Sequence, residues 1–180
     1  AVAEVTWGAA RGCSPALYLT GTVGLGAGLV VDGSVHRGAA GFAGEVGHAP
    51  IGGSDAPCAC GRRGCWETTV GLSATLRAAG LTTDRITPHG DPVQAAAEVA
   101  RLAERDDAVA AALDGVAHSL ASGVVTLVSV LDPQVVVLGG YFVPLGPWLL
   151  PVVQRALAEE VLAASSRRCT VALSTLGLHA

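Results

Sequence analysis

At 180 residues the chain is long enough for one full-size domain with its own core, and with 51% hydrophobic against 14% charged residues it is compact rather than disordered. A net charge of −4 gives no sign of a phosphate-binding electrostatic face, so any contact with nucleic acid is expected through residues outside this chain. Lysine is absent, which excludes a Walker A loop and lysine-based catalysis, and the lack of methionine leads us to expect a piece of a longer translation product.

Ala1 to Gly12 reads as a helix ended by Gly12, with no cap before Ala1, so it is expected to begin in mid-element. Ala16 to Thr20 and Ala27 to Val31 are apolar strand candidates joined by the glycine-rich bend Gly21 to Gly26. Asp32-Gly33 makes a tight hairpin into Ser34 to His36, completing an antiparallel meander. Gly38 to Gly64 is dense in Gly, Pro, Cys and His and lacks periodic apolar residues; a loop of that length needs an organiser. Helical patterns follow at Trp66 to Ala79, Pro92 to Arg105 and Ala108 to Leu131, the last stopped by Asp132-Pro133. Gln134 to Leu138 is an all-apolar strand of the kind covered on both faces, followed by Gly139-Gly140. Pro147 to Ala164 reads as a helix with proline at its start, and Cys169 to Leu173 as a final strand. This order predicts an α/β layered domain. The most apolar stretch, Leu120 to Leu131, is shorter than the ~20 residues that a bilayer-spanning helix needs and reads as the end of a buried helix. With no secretory segment at its start, the chain is expected to be cytoplasmic and to have no membrane partner.

Five cysteines make an odd set, and three of them fall within eight residues, which in a cytoplasmic chain favours metal over disulfides. The spacing is His48, nine residues, Cys58, one residue, Cys60, four residues, Cys65. Cys₃His is a common closed structural set for tetrahedral zinc, so His48, Cys58, Cys60 and Cys65 are the candidate ligands and no catalytic water is assigned to the ion. The alternative is a group of reduced cysteines beside an unrelated histidine.

Gly41-Phe-Ala-Gly-Glu-Val-Gly-His48, followed by Cys58-Ala-Cys-Gly-Arg-Arg-Gly-Cys-Trp-Glu67, resembles the defining pattern of the ROK family of repressors, open reading frames and sugar kinases. Ala3-Glu4 to Gly12, Leu131-Asp-Pro to Gly140 and Ser174-Thr-Leu-Gly extend the resemblance over nearly the whole chain. It implies an actin-like, ribonuclease-H-like ATPase fold of two lobes with sugar bound between them. The chain is then the C-terminal lobe over 1–180, incomplete at both ends, with residues 38–66 an inserted zinc and sugar loop. The N-terminal lobe and any DNA-binding domain are expected outside it. The resemblance also implies that Glu45, His48 and Glu67 contact hydroxyls of a monosaccharide or amino sugar. Carboxylates accept strongly from hydroxyls, and a histidine can bind metal through one ring nitrogen and sugar through the other. From the residues alone, Glu45 is equally a solvated loop carboxylate and Glu67 a helix-start residue favoured by the macrodipole.

In family kinases a glycine-rich hairpin turn holds ATP phosphates through backbone N–H groups. Thr22, Gly24, Gly26, Gly139 and Gly140 are the nucleotide candidates here, if that function is retained. Val23 interrupts the glycine spacing, and the turn looks more like that of the family's transcriptional regulators. The kinases' general base lies in an Asn-Asp-x-Asn element that the resemblance places just before Ala1. No catalytic residue is therefore assigned, and the chain alone is expected to be inactive. Three readings remain. The first is the effector-binding lobe of a sugar-responsive transcriptional regulator, touching DNA only through a separate N-terminal domain. The second is the C-terminal lobe of a glucokinase-type or N-acyl-hexosamine kinase, which alone would need ATP and magnesium. The third is a zinc-stabilised interaction module. Family members commonly self-associate, so a homodimer or higher is expected. Cys13 and Cys169 are expected as buried structural thiols, and His36, His89, His118 and His179 as structural or solvated. Arg62 and Arg63 are expected at an exposed loop tip.

Overall fold

A computed structural model describes residues 1–22, 24–51, 53–82, 90–162 and 169–177. One mixed sheet organises them. Strands β1 (Ala16–Gly21), β2 (Leu25–Val31) and β3 (Ser34–Val35) form the expected antiparallel meander. Strands β4 (Val135–Gly140) and β5 (Thr170–Leu173) add in parallel on the other side of β1, giving the order β3-β2-β1-β4-β5. The helices are α1 (Val2–Trp7), α2 (Glu67–Val70), α3 (Leu72–Ala78), α4 (Pro92–Ala103), α5 (Asp107–Leu131) and α6 (Phe142–Glu160).

Alternation along the strands splits the core between the two sheet faces. Leu17, Leu19, Val136 and Leu138 pack with Val99 of α4, with Leu113, Leu120, Val124 and Val128 of α5, and with Leu145, Leu149 and Val153 of α6. Ala16, Val135 and Val137 face the other way, onto Ala10 and the end of α1. Each fully buried aliphatic side chain contributes roughly 1.5–3 kcal/mol, so the larger cluster dominates stability. By length and composition α5 is apolar enough to cross a membrane, longer than the stretch read from the sequence. Its apolar residues are instead used in this core. Asp91 and Asp106 cap α4 and α5, accepting from Val93 N at 2.8 Å and Ala108 N at 2.9 Å.

Several boundaries differ from the sequence reading. The first helix stops at Trp7 rather than Gly12, because the fully buried Glu4 carboxylate accepts from Ala9 N at 2.8 Å and draws the chain out of the helical ladder. The segment from Trp66 to Ala79 is two helices, broken at Gly71, whose ψ of 156° is extended. Helix α6 begins at Phe142, upstream of Pro147. Both Pro147 and Pro151 lie on its exposed face, where water can satisfy the carbonyls they leave unpaired. The segment proposed to extend to Ala164 passes into residues outside the described set.

Two aromatic side chains fasten α2 to this framework. Trp66 is fully buried and donates its indole N–H to Ser119 O at 2.9 Å, while its ring fills the space beside Gly123 of α5. A Cβ at Gly123 would lie 2.0 Å from that ring, so only glycine lets the two elements meet. Tyr141, also fully buried, donates from its hydroxyl to Val70 O at 2.9 Å. The segment that follows the cysteines is thereby locked to the core.

Candidate functional site

The loop 38–66 leaves the meander and folds back along β2. Gly44 O accepts from Ala27 N at 2.8 Å, so the loop prolongs the sheet edge by one backbone bond. Gly44 has φ +101°, and a Cβ there would lie 2.1 Å from Ala27 O, which fixes glycine at the contact. The chain then makes the single 3₁₀ turn Val46–His48, with His48 N donating to Glu45 O at 3.2 Å. Trp66 N donates to Ala49 O at 2.8 Å and so brings the stretch after the cysteines alongside the histidine. The cysteines themselves sit on a knuckle closed by Cys58 N to Arg62 O at 2.8 Å and Gly61 N to Cys58 O at 3.0 Å. Arg63 buttresses it from outside, pairing with both carboxylate oxygens of Asp55 at 2.9 and 3.1 Å.

These turns bring His48, Cys58, Cys60 and Cys65 together, with one ligand atom from each lying within 4.8 Å of all the others. Cys60 Sγ and Cys65 Sγ are 3.6 Å apart, and Cys58 Sγ is 3.7 Å from His48 Nδ1. A tetrahedral ion with zinc–sulfur bonds of about 2.3 Å spaces its sulfur ligands by ~3.8 Å, so the donor set and its edges fit zinc. None of the three thiols is in a disulfide. The Cys60 thiol is lowered to about 6, first by the backbone N–H of Arg62 and then by that residue's guanidinium. At Cys58 the largest single influence, the backbone N–H of Cys60, favours the thiolate. The Glu67 carboxylate, burial and the neighbouring thiols together outweigh it and push Cys58 up to about 12. Cys58 Sγ accordingly donates to Glu67 Oε1 at 2.9 Å. Such a proton-sharing cluster is what a divalent soft cation displaces protons from.

Two cavities flank the cluster. One, of about 620 Å³, is lined by Phe42, Glu45, His48, Ala49, Pro50 and Arg62. The other, of about 310 Å³, has Glu67, Cys58, Gly24, Thr68, Ser73 and Arg77 in its wall. Glu45 and His48 therefore share a cavity. Glu67 lies 3.6 Å from His48 Nδ1 but opens on the second cavity, towards the turn between β1 and β2. With Nδ1 facing Cys58, the other ring nitrogen of His48 is left for the first cavity.

The five nucleotide candidates gather at one end of the sheet. Thr22 N donates to Gly24 O at 3.1 Å within the turn, whereas Gly26 already belongs to β2, opposite Thr20. Gly139 and Gly140 end β4 beside Thr20 and Gly21. Val23 lies outside the described residues, as do His89 and His179. His36 and His118 stand apart from the cluster, His118 being paired with Asp114 on the exposed side of α5 at 3.3 Å. Cys169 is buried and Cys13 half-buried, away from the four ligands.

Sequence reasoning missed two residues. Phe42 lines the cavity of Glu45 and His48, together with Arg62, which is exposed on the loop as expected. Glu4 is the second: its carboxylate also accepts from the Ser174 hydroxyl and from Leu176 N, tying α1 to the segment after β5. A phenylalanine stranded among glycines was the one available signal for Phe42. No sequence pattern marks Glu4, two of whose partners, Ser174 and Leu176, lie 170 or more residues away.

The ROK family model matches residues 1–180. A glucokinase of Halalkalibacterium halodurans is 31% identical over 191 residues, covering 98% of this chain and 56% of that protein. A xylose repressor of Caldicellulosiruptor bescii is 36% identical over 140 residues, covering 70% of this chain and 33% of the repressor. Among solved structures, a ROK family glucokinase from Streptomyces griseus in complex with glucose and AMPPNP superposes with a TM-score of 0.77 at 25% identity, covering 97% of this chain and 60% of that one. The chain thus spans about half the length of the curated relatives it matches.

Proposed function

The chain belongs to the ROK family, and on that premise we propose that it is the zinc-stabilised, sugar-binding effector lobe of a sugar-responsive transcriptional regulator. The observation that carries the sugar reading is the placement of Glu45 and His48 in the wall of one cavity, immediately beside a complete Cys₃His donor set. In this reading His48, Cys58, Cys60 and Cys65 hold the ion, whose contribution is structural: it fixes the loop and the orientation of the imidazole. Glu45 accepts hydrogen bonds from sugar hydroxyls, and the free nitrogen of His48 meets another. Glu67 positions His48 and Cys58 from the second cavity, and a direct contact with the sugar would require that wall to move toward the first. The occupant is a monosaccharide or amino sugar. The protein acts in the cytoplasm, where reduced thiols persist, and as a homodimer or higher. DNA is contacted through a separate N-terminal domain.

The regulator reading is supported by the glycine spacing around Val23 and by the likeness to the xylose repressor. A second reading, the C-terminal lobe of a ROK sugar kinase, is favoured by the likeness to the two glucokinases. In that case Thr22, Gly24, Gly26, Gly139 and Gly140 would border ATP with magnesium. Calorimetric titration of the full-length protein with D-glucose, D-xylose and N-acetyl-D-glucosamine tests the sugar site. Binding that is lost in Glu45→Gln supports it, and absence of binding to all three rejects it. A coupled assay for ADP release, with ATP, magnesium and the sugar that binds, then separates the readings. The regulator produces no sugar-dependent ADP; sustained turnover assigns the kinase.

A further inference from the structure

The aromatic side chains of Trp66, Tyr141 and Phe142 are fully buried, whereas Phe42 is 75% exposed. Its position is not that of a slack loop tip. Glu45 N donates to Phe42 O at 3.4 Å, so the ring and the Glu45 carboxylate spring from one turn, and the backbone bond from Ala27 N to Gly44 O anchors that turn to β2. Phe42 also lines the cavity of Glu45 and His48, whose remaining wall includes the apolar Ala49 and Pro50. The cavity therefore has an apolar side carrying a ring and a polar side carrying a carboxylate, an imidazole and the Arg62 guanidinium.

A pyranose has the same division, with C–H groups on a face and hydroxyls around the rim. A wholly apolar ligand would desolvate Glu45 and Arg62 without replacing their hydrogen bonds, whereas sugar hydroxyls can donate to the carboxylate and accept from the guanidinium. We infer that Phe42 is the platform on which the C–H face of the sugar ring lies, and that it sets which ring face enters the cavity. Stacking then places the rim hydroxyls toward Glu45 and His48, and the otherwise exposed ring is covered only when sugar is bound. This rests on the sugar reading above but assigns a residue to it that neither the ion nor the hydroxyl contacts require.

The test uses the full-length protein and three probes, D-glucose, D-xylose and N-acetyl-D-glucosamine. Phe42→Ala should weaken the best-binding probe by about tenfold or more, about 1.4 kcal/mol, with zinc content and thermal midpoint unchanged. Phe42→Trp should retain binding, and its emission should shift on sugar saturation by an amount absent from the wild type. Wild-type affinity in Phe42→Ala, or no added emission change in Phe42→Trp, overturns the stacking role while leaving the sugar site standing. Failure of the wild type to bind any probe removes the sugar reading and this inference together.

Discussion

Removing the metal should disorder the loop while sparing the body of the domain. Among the described residues from 38 to 64, only Gly47 and Gly64 are buried, and Val46 and Ile51 are the partly buried apolar side chains packed on the main core, so few apolar contacts hold this stretch. Sixteen residues separate His48 from Cys65, and at about 1 kcal/mol of backbone entropy each, ordering them costs about 16 kcal/mol. A structural zinc site contributes ~10–16 kcal/mol, which is the size of the deficit. From Trp66 onward the situation reverses, because Trp66 and Tyr141 bind α2 to α5 and the sheet without help from the ion. The measurement is hydrogen exchange by mass spectrometry before and after chelation, with metal content checked on the same samples. Peptides within 38–64 should lose protection, and those from β1, β4, α5 and α6 should keep it. Sugar binding should vanish with the loop, and a Cys58→Ala, Cys60→Ala double variant should behave as the chelated protein. Unchanged protection in a metal-free loop would refute the reasoning, as would collapse of α5 and α6 in step with it.

Three further outcomes follow from single contacts. Glu45→Gln should weaken sugar by about tenfold or more in titration, since a hydrogen bond to a charged acceptor is the stronger kind; zinc content should not change. Trp66→Ala should cost about 3–5 kcal/mol in urea unfolding, through the lost ring and the cavity beside Gly123. Less than ~1.5 kcal/mol would mean that the ring is not a structural fastener. Glu4→Ala orphans Ala9 N, the Ser174 hydroxyl and Leu176 N, at about 1–3 kcal/mol for each donor left unsatisfied. Glu4→Gln, which keeps one carbonyl oxygen, should lose less stability by the same measurement.

What could be read from the sequence was whatever short-range chemistry determines. The meander, the stop of α5 at Asp132-Pro133 and the Cys–His cluster all rest on residues close together in the chain. The errors arose where a distant partner decided. Glu4 ends α1 early because its carboxylate is committed to backbone donors and to Ser174, which no local pattern reveals. Helix α6 runs through Pro147 because that residue faces water, a fact fixed by tertiary packing rather than by proline's own preference. The division of the site into two cavities was illegible for the same reason. Glu45 and Glu67 look equivalent in the motif, and only the folded knuckle puts Cys58 and His48 between them.

That division bears on why one chain resembles both a glucokinase and a xylose repressor. Recognition of a sugar asks only for the loop: a carboxylate, an oriented imidazole and a shaped wall. Phosphoryl transfer asks in addition for a positioned nucleotide and a general base. On the proposed reading a lobe that supplies the first set would serve either protein, because binding could be turned to catalysis or to a change of lobe angle without altering the contacts proposed at Glu45 and His48. In a regulator the sugar shifts DNA affinity only by the difference in its affinity for the two lobe arrangements, and DNA must shift sugar affinity by the same factor. The cluster makes such a difference available. His48 reaches the first cavity, while Glu67, 3.6 Å from it, reaches the second at Gly24. An occupant drawn toward His48 would therefore be one packed side chain away from the turn between β1 and β2, and the proposed ion, held by His48, Cys58, Cys60 and Cys65, would keep both walls in register.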